Sequence, residues 1–90
     1  MVECECHYDF SMDGRLRARR LGERIRSLRM KEHLTLKRFA DMVGIDRGYL
    51  SAIERGEHNP SLNMMSKIAE GLDMTLAELL EGIGSFEDRS

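Results

Sequence analysis

Apolar residues recur at helical spacing in five segments of the chain. From Arg15 to Glu32 they fall at positions 16, 21, 25 and 28 between arginines, which predicts a first amphipathic helix. Thr35 can cap a short second helix with apolar residues at positions 36, 39, 40 and 43. Gly44 is expected to end it, because glycine readily adopts the left-handed conformation found there.

Three further helices follow at short intervals. Asp46 can cap the third, on which positions 50 and 53 point inward and positions 47, 51 and 52 point away, and Gly56 ends it. Ser61 can cap a fourth helix with apolar positions 62, 65, 68, 69 and 72. Thr75 and Glu78 match a capping box and predict a fifth, through positions 76, 79 and 80. The sequence therefore predicts an all-α, compact five-helix bundle.

The second and third predicted helices match a helix-turn-helix. Two short helices that meet at a steep angle need a small residue where they approach, a glycine in the turn and inward aliphatic residues on the second helix. These roles fit, in order, Ala40, Gly44, Ile45, Leu50 and Ile53.

Composition favours one small helical domain. The chain has 90 residues, 41% of them hydrophobic, with one proline and no tryptophan. We divide it into an acidic arm over residues 1–14, a helical domain over 15–82 and a C-terminal tail over 83–90. No apolar stretch is long enough to cross a membrane, and the acidic N-terminus is unlike a signal peptide, so we expect a cytoplasmic protein.

The net charge of −2 hides an uneven distribution. Residues 15–58 hold twelve Lys or Arg against six Asp or Glu, whereas residues 1–14 and 59–90 each carry a net charge of −4. Such an oriented field can hold a polyanion against one face of the protein. The alternative is that these charges lie on solvated helix faces and that their uneven distribution is due to chance.

Other candidate chemistry is sparse. Cys4, Cys6 and His7 could hold a soft metal, but two thiols without a second pair are a weak signal, and a disordered N-terminal arm with reduced thiols fits better. We assign no metal and no cofactor. No catalytic constellation is evident, so we do not expect an enzyme. The methionines at positions 42, 64, 65 and 74 are expected to fill the core.

The run "YLSAIERGEHNPSL" makes the helix-turn-helix interpretation much stronger. From about Leu21 to Leu80 the chain closely resembles the Cro/CI-like, or xenobiotic-response-element, family of bacterial helix-turn-helix regulators. The resemblance implies a lambda-repressor-like domain, in which Arg29 and Glu54 form a buried structural pair; without it they could be two unrelated surface charges. The chain departs from many members at Leu36, where a glutamine binds phosphate and braces the recognition helix.

The resemblance also implies how double-stranded DNA is bound. Helix 3 would read bases in the major groove, with Arg47 offering its planar fork to guanine, although a helix-start arginine can also simply be solvated. Tyr49 could donate to a phosphate or cover the turn. The implied base-reading residues are Arg47, Gly48, Ser51 and Ala52, and the implied phosphate-binding residues are Thr35, Lys37, Arg38, Tyr49, Arg55, His58 and Asn59.

Two functional hypotheses follow. The first is a sequence-specific transcriptional regulator, most simply a repressor, that binds a two-fold operator as a homodimer. Its dimer contacts are expected near the fifth helix, from Leu76, Leu79, Leu80 and Ile83. The second is a protein-binding module, such as an antitoxin with autoregulatory DNA binding, whose acidic arms occupy a protein partner.

Overall fold

The computed structural model describes the backbone of residues 2–83 and the side chains of residues 15–83. Over this range the chain forms five α-helices and no strand, which confirms the predicted fold class. The helices are α1 (Val2–Lys31), α2 (Leu36–Val43), α3 (Arg47–Glu54), α4 (Leu62–Gly71) and α5 (Leu76–Leu79).

The first helix is longer than the hydrophobic pattern predicts. It begins at Val2, whereas the amphipathic pattern begins at Arg15. Extending a helix costs far less than nucleating one, so a helix nucleated by packing can continue where the sequence has lost its apolar face. The residues before position 15 contain no proline that would stop it.

Side-chain caps start each of the four later helices. The hydroxyl or carboxylate oxygens of Thr35, Asp46, Ser61 and Thr75 accept from the backbone N–H three residues on, at 3.1 to 3.2 Å. Glu78 also accepts from the backbone N–H of Thr75 at 2.9 Å, which completes the predicted capping box.

One hydrophobic core joins all five helices. Its largest fully buried side chains are Ile25 of α1, Phe39 of α2, Leu50 and Ile53 of α3, Ile68 of α4 and Leu79 of α5. Because α2 and α3 both insert side chains into this core, their relative position is fixed by packing as well as by the turn at Gly44, whose φ is 85°.

The close approach of α1 to the end of α3 depends on Gly22. A Cβ at this position would overlap the backbone carbonyl oxygens of Ile53 and Glu54. Only glycine lets the two backbones lie this close. The contact sets where α3 ends relative to α1.

Three apolar residues lie outside the core that the pattern predicts for them. Met42 is 52% exposed and Leu62 63% exposed, and Leu16 is also exposed. Helical spacing selects a face, but it does not show which part of that face another element covers, and Leu62 is the first residue of its helix. By contrast, Met64, Met65 and Met74 pack against the core, as predicted.

Candidate nucleic-acid interface

The start of α3 presents Arg47 and Gly48 to solvent. Asp46 caps the helix by accepting from the backbone N–H of Tyr49 at 3.2 Å, while Leu50 and Ile53 anchor its inner side in the core. Arg47 and Gly48 are both exposed. The first turn of the helix thus projects a guanidinium beside a residue with no side chain, and a Cβ at Gly48 would lie 2.9 Å from the carboxylate of Asp46.

Ser51 and Ala52 differ from each other in exposure. Ser51 is half-buried, but Ala52 is only 7% exposed. The burial of Ala52 contradicts its predicted accessibility to DNA, although Ala52 is not part of the core cluster around Leu50 and Ile53, from which it was predicted to point away. Ala52 follows the half-buried Tyr49 by three residues, so both lie on the same side of α3. The outer face of α3 is therefore formed by Arg47, Gly48 and Ser51.

The start of α2 carries the next group of predicted residues. Thr35, Lys37 and Arg38 are all exposed there. Lys37 reaches Asp41 at 3.3 Å, but both side chains are more than two-thirds exposed, so this ion pair is weak. The first turn of a helix also has N–H groups with no intrahelical acceptor, and these attract anions. Leu36, the departure from the family pattern, packs against the core.

Arg55 follows α3 and is held by two neighbours. Its Nε and Nη2 donate to the two carboxylate oxygens of Glu57 at 2.9 and 3.0 Å, and its Nη1 donates to the hydroxyl of Ser51. The hydrogen bonds with Glu57 raise the pKa of Arg55 and lower the pKa of Glu57 from their ordinary values. All of these charged groups face water.

The loop after α3 places an aromatic pair beside the helix. The ring centroids of Tyr49 and His58 lie 5.5 Å apart at 55°. Tyr49 also packs against the core, which is compatible with either predicted role, covering the turn or donating to a phosphate, while His58 and Asn59 are exposed. Together with Arg55, these residues form one border of the surface around α3.

Arg29 and Glu54 are brought together beneath this surface. Two guanidinium nitrogens of Arg29 donate to the two carboxylate oxygens of Glu54 at 2.8 and 3.0 Å, and a third donates to the carbonyl of Leu34 at 2.8 Å. Glu54 is the last residue of α3, and Leu34 lies just before α2. The pair thus connects α1 to both helices of the helix-turn-helix.

The predicted dimer residues divide into two groups. Leu79 is fully buried, so it is wrong as an interface candidate: its side chain belongs to the core of the single chain. Leu76, Leu80 and Ile83 are half-buried. Leu80 and Ile83 line an open apolar cavity of about 360 Å³, together with Ala18, Leu21, Pro60 and Met65 among others.

Two other predictions concern metals and membranes. Within residues 15–83, where side chains are described, no cluster of three or more His, Cys, Asp or Glu could hold a metal ion. Cys4, Cys6 and His7 lie outside those residues. No helix in the described part of the chain combines the length and apolar character needed to cross a membrane.

Sequence reasoning placed Glu57 in the loop expected to contact phosphate, but it missed the partner of Glu57 and that of Arg24. Glu57 pairs with Arg55 across a turn, a spacing of two residues that no helical pattern predicts. Arg24 donates from α1 to the carbonyls of Glu78 and Leu79, each at 2.7 Å, and so holds the end of α5. The contact between Glu57 and Arg55 could have been suspected because Glu57 directly follows Gly56, which ends α3 with a positive φ. No sequence pattern indicates the contact between Arg24 and Leu79, which are 55 residues apart.

Comparison with known proteins gives a consistent result. Residues 25–79 match the family HTH_3, described as Helix-turn-helix. The chain is 39% identical over 71 residues to the HTH-type transcriptional regulator DdrOP3 of Deinococcus deserti, covering 79% of this chain and 55% of that protein. It is 42% identical over 65 residues to the control protein C.MunI of a Mycoplasma species, covering 71% of this chain and 88% of that protein.

A solved structure agrees with these sequence matches. The master regulator for biofilm formation SinR, in complex with DNA, superposes with a TM-score of 0.64 and 34% identity. The match covers 68% of this chain and 98% of that one. The present chain thus spans little more than half of DdrOP3, but nearly the whole SinR chain in that structure.

Proposed function

The chain belongs to the helix-turn-helix family HTH_3, and from this membership we propose that it is a sequence-specific DNA-binding transcriptional regulator that acts as a homodimer. The observation that carries the proposal is the outer face of α3, where Arg47 and Gly48 are exposed on a helix anchored by buried residues. A rigid helix with an exposed guanidinium at its start has the shape and charge that a major groove accepts.

Arg47 is the base-reading residue in this proposal. Its guanidinium can donate two parallel hydrogen bonds to O6 and N7 of guanine, a contact that discriminates by about 1–3 kcal/mol. Gly48 allows the helix to lie deep in the groove, and the hydroxyl of Ser51 can reach a neighbouring base edge. Ala52 has no base contact in the proposal, because its methyl group is buried.

Phosphate contacts would flank the reading helix on both sides. On one side they come from the N-terminus of α2, where Thr35, Lys37 and Arg38 are exposed. On the other side they come from Arg55, His58 and Asn59, which are exposed, and from Tyr49, which is half-buried. These contacts set the register of the protein on the duplex without reading sequence.

The proposed dimer pairs two copies through the region of α5. Leu76, Leu80 and Ile83 are half-buried in one chain, and a second copy would cover them together with the apolar cavity beside them. Two-fold symmetry then places the two α3 helices on half-sites about 34 Å apart. We infer repression, since a dimer on the operator excludes other proteins from the same duplex.

Selection from random duplex DNA tests this function. Wild type and Arg47→Ala would be compared near physiological salt, where non-specific binding is weak, with Lys67→Ala on α4 as a control that removes one exposed cation. We expect wild type and the control to enrich a two-fold symmetric site, and Arg47→Ala to lose one base preference. If wild type enriches nothing, the DNA-reading function fails and the protein-binding hypothesis replaces it.

A further inference from the structure

Glu57, Arg55 and Ser51 form a chain of hydrogen bonds at the end of α3. Arg55 donates to both carboxylate oxygens of Glu57, at 2.9 and 3.0 Å, and its third donating nitrogen reaches the hydroxyl of Ser51. Ser51 lies on the outer face of α3, one turn after Arg47. The chain therefore connects an acidic residue outside the helix to the surface proposed to read bases.

The backbone places Glu57 where it can make these contacts. The N–H of Gly56 donates to the carbonyl of Ile53 at 3.0 Å, and the N–H of Glu57 donates to that of Ala52 at 2.9 Å. These two bonds form a Schellman motif with Gly56 at a φ of 80°. A Cβ on Gly56 would also lie 2.6 Å from Cγ of Arg19, so α1 packs against this turn.

Glu57 and Arg55 form a charged pair that faces water. Arg55 lowers the pKa of Glu57, so the carboxylate is charged at neutral pH, and both side chains are more than half exposed. Its two oxygens occupy the same guanidinium fork that a phosphate would use. When DNA approaches, Arg55 either stays paired and contributes no net charge, or turns to a phosphate and leaves Glu57 unpaired beside a polyanion.

We propose that Glu57 is a specificity-determining residue that acts through Arg55. The proposal rests on the proposed function, because it concerns the same DNA-binding surface. Phosphate attraction supplies essentially all of the non-specific affinity of a DNA-binding protein, so an acid that neutralises a cation at this surface weakens binding to every sequence. Base contacts by Arg47 are unaffected. Because this weakening is common to all sequences, the effect of Glu57 on the ratio of specific to non-specific affinity comes from the contact of Arg55 with Ser51.

The same chain restricts the chemistry of Ser51. A serine hydroxyl has one donor and two acceptor sites, and Arg55 already occupies one acceptor site. Its proton remains directed away from Arg55 and can be donated to an acceptor on a base edge, such as guanine N7 or thymine O4. Glu57, by holding Arg55 in place, keeps Ser51 in this donor role.

Glu57→Gln tests the proposal because it removes the charge and keeps the size. Dissociation constants would be measured over a series of salt concentrations, on the selected operator and on a scrambled duplex. Glu81→Gln is the matched control, since it removes one exposed acidic charge that follows α5 and lies outside the surface proposed to bind DNA. For Glu57→Gln we expect scrambled DNA to bind about 3–10-fold more tightly, and the logarithmic salt slope to steepen by about 0.9, the value for one phosphate contact.

The background variant Arg55→Gln shows whether Glu57 acts through Arg55. In that background we expect Glu57→Gln to change scrambled-DNA affinity no more than Glu81→Gln does. An equal effect with and without Arg55 would overturn the mechanism, and an unchanged specificity ratio in Glu57→Gln would overturn the proposal. The midpoint of unfolding of Glu57→Gln and of Glu81→Gln should equal that of wild type within error. If wild type prefers no sequence, the proposed function fails and the specificity role of Glu57 fails with it, whereas the scrambled-duplex affinities still show whether Glu57 keeps Arg55 from phosphate.

Discussion

The guanidinium of Arg29 and the carboxylate of Glu54 form a two-point ion pair between the end of α1 and the end of α3. The nitrogen–oxygen distances are 2.8 and 3.0 Å, and the side chains are only 12% and 7% exposed. Because Arg29 also donates to the carbonyl of Leu34, each of its three guanidinium nitrogens makes a hydrogen bond that holds α2 or α3 against α1.

Removing one member of this pair is expected to destabilise the fold severely. Arg29→Ala leaves the buried carboxylate of Glu54 without its partner, which costs about 3–5 kcal/mol of unfolding free energy. Urea unfolding followed by circular dichroism measures this loss. Arg26→Ala, an exposed arginine on the same helix, is the control and should change stability little. Equal midpoints for the two variants would show that the pair is dispensable.

The helix starts could be predicted because their signals are local. Thr35, Asp46, Ser61 and Thr75 each cap a helix using an oxygen that reaches only three residues along the chain. No knowledge of the tertiary structure is needed for such an interaction. The predicted end of α2 at Gly44 depends on a local backbone preference in the same way.

The misassigned residues all depend on what lies beside them in space. Leu79 has the helical spacing of an apolar residue, but the pattern does not tell whether its own core or a second copy covers it. Ala52 lies on a helix of eight residues, where a shift of one position changes the exposed face. The Arg55–Glu57 pair depends on the turn at Gly56, which reverses the chain after α3.

Gly22 provides a second test of the packing of α1 on α3. In Gly22→Ala the new methyl group would overlap two backbone carbonyls, which cannot rotate away as a side chain can, so we expect a loss of about 3 kcal/mol or more. Gly44→Ala separates steric overlap from backbone strain, because position 44 has a φ of 85° but no atom within 4 Å of the new Cβ. Its expected cost is about 1–2 kcal/mol. A larger loss for Gly44→Ala than for Gly22→Ala in thermal unfolding would contradict this packing.

Arg24 is expected to control the order of α5. This helix has only four residues, and Arg24 donates to the carbonyls of Glu78 and Leu79 at its end. Hydrogen bonds from a charged donor contribute about 1.5–3 kcal/mol, so Arg24→Ala should speed amide exchange at Leu79 and Leu80 well before the domain unfolds. Arg24→Lys keeps the charge but cannot reproduce the planar fork, and should show an intermediate rate. Exchange that is unchanged in Arg24→Ala would mean that packing of Leu79 alone holds the helix.

Leu79 and Leu80 are adjacent, but substituting them should affect different properties: stability for Leu79 and dimerisation for Leu80. Leu79→Ala opens a cavity in the core of the single chain and is expected to cost about 2–5 kcal/mol of stability. Leu80→Glu places a charge at the half-buried edge of the apolar cavity, where a second copy is proposed to pack. We expect it to leave the single chain folded and to weaken dimerisation at least tenfold in sedimentation equilibrium. The proposed interface is wrong if Leu80→Glu still forms dimers as readily as wild type while Leu79→Ala shows the expected loss of stability.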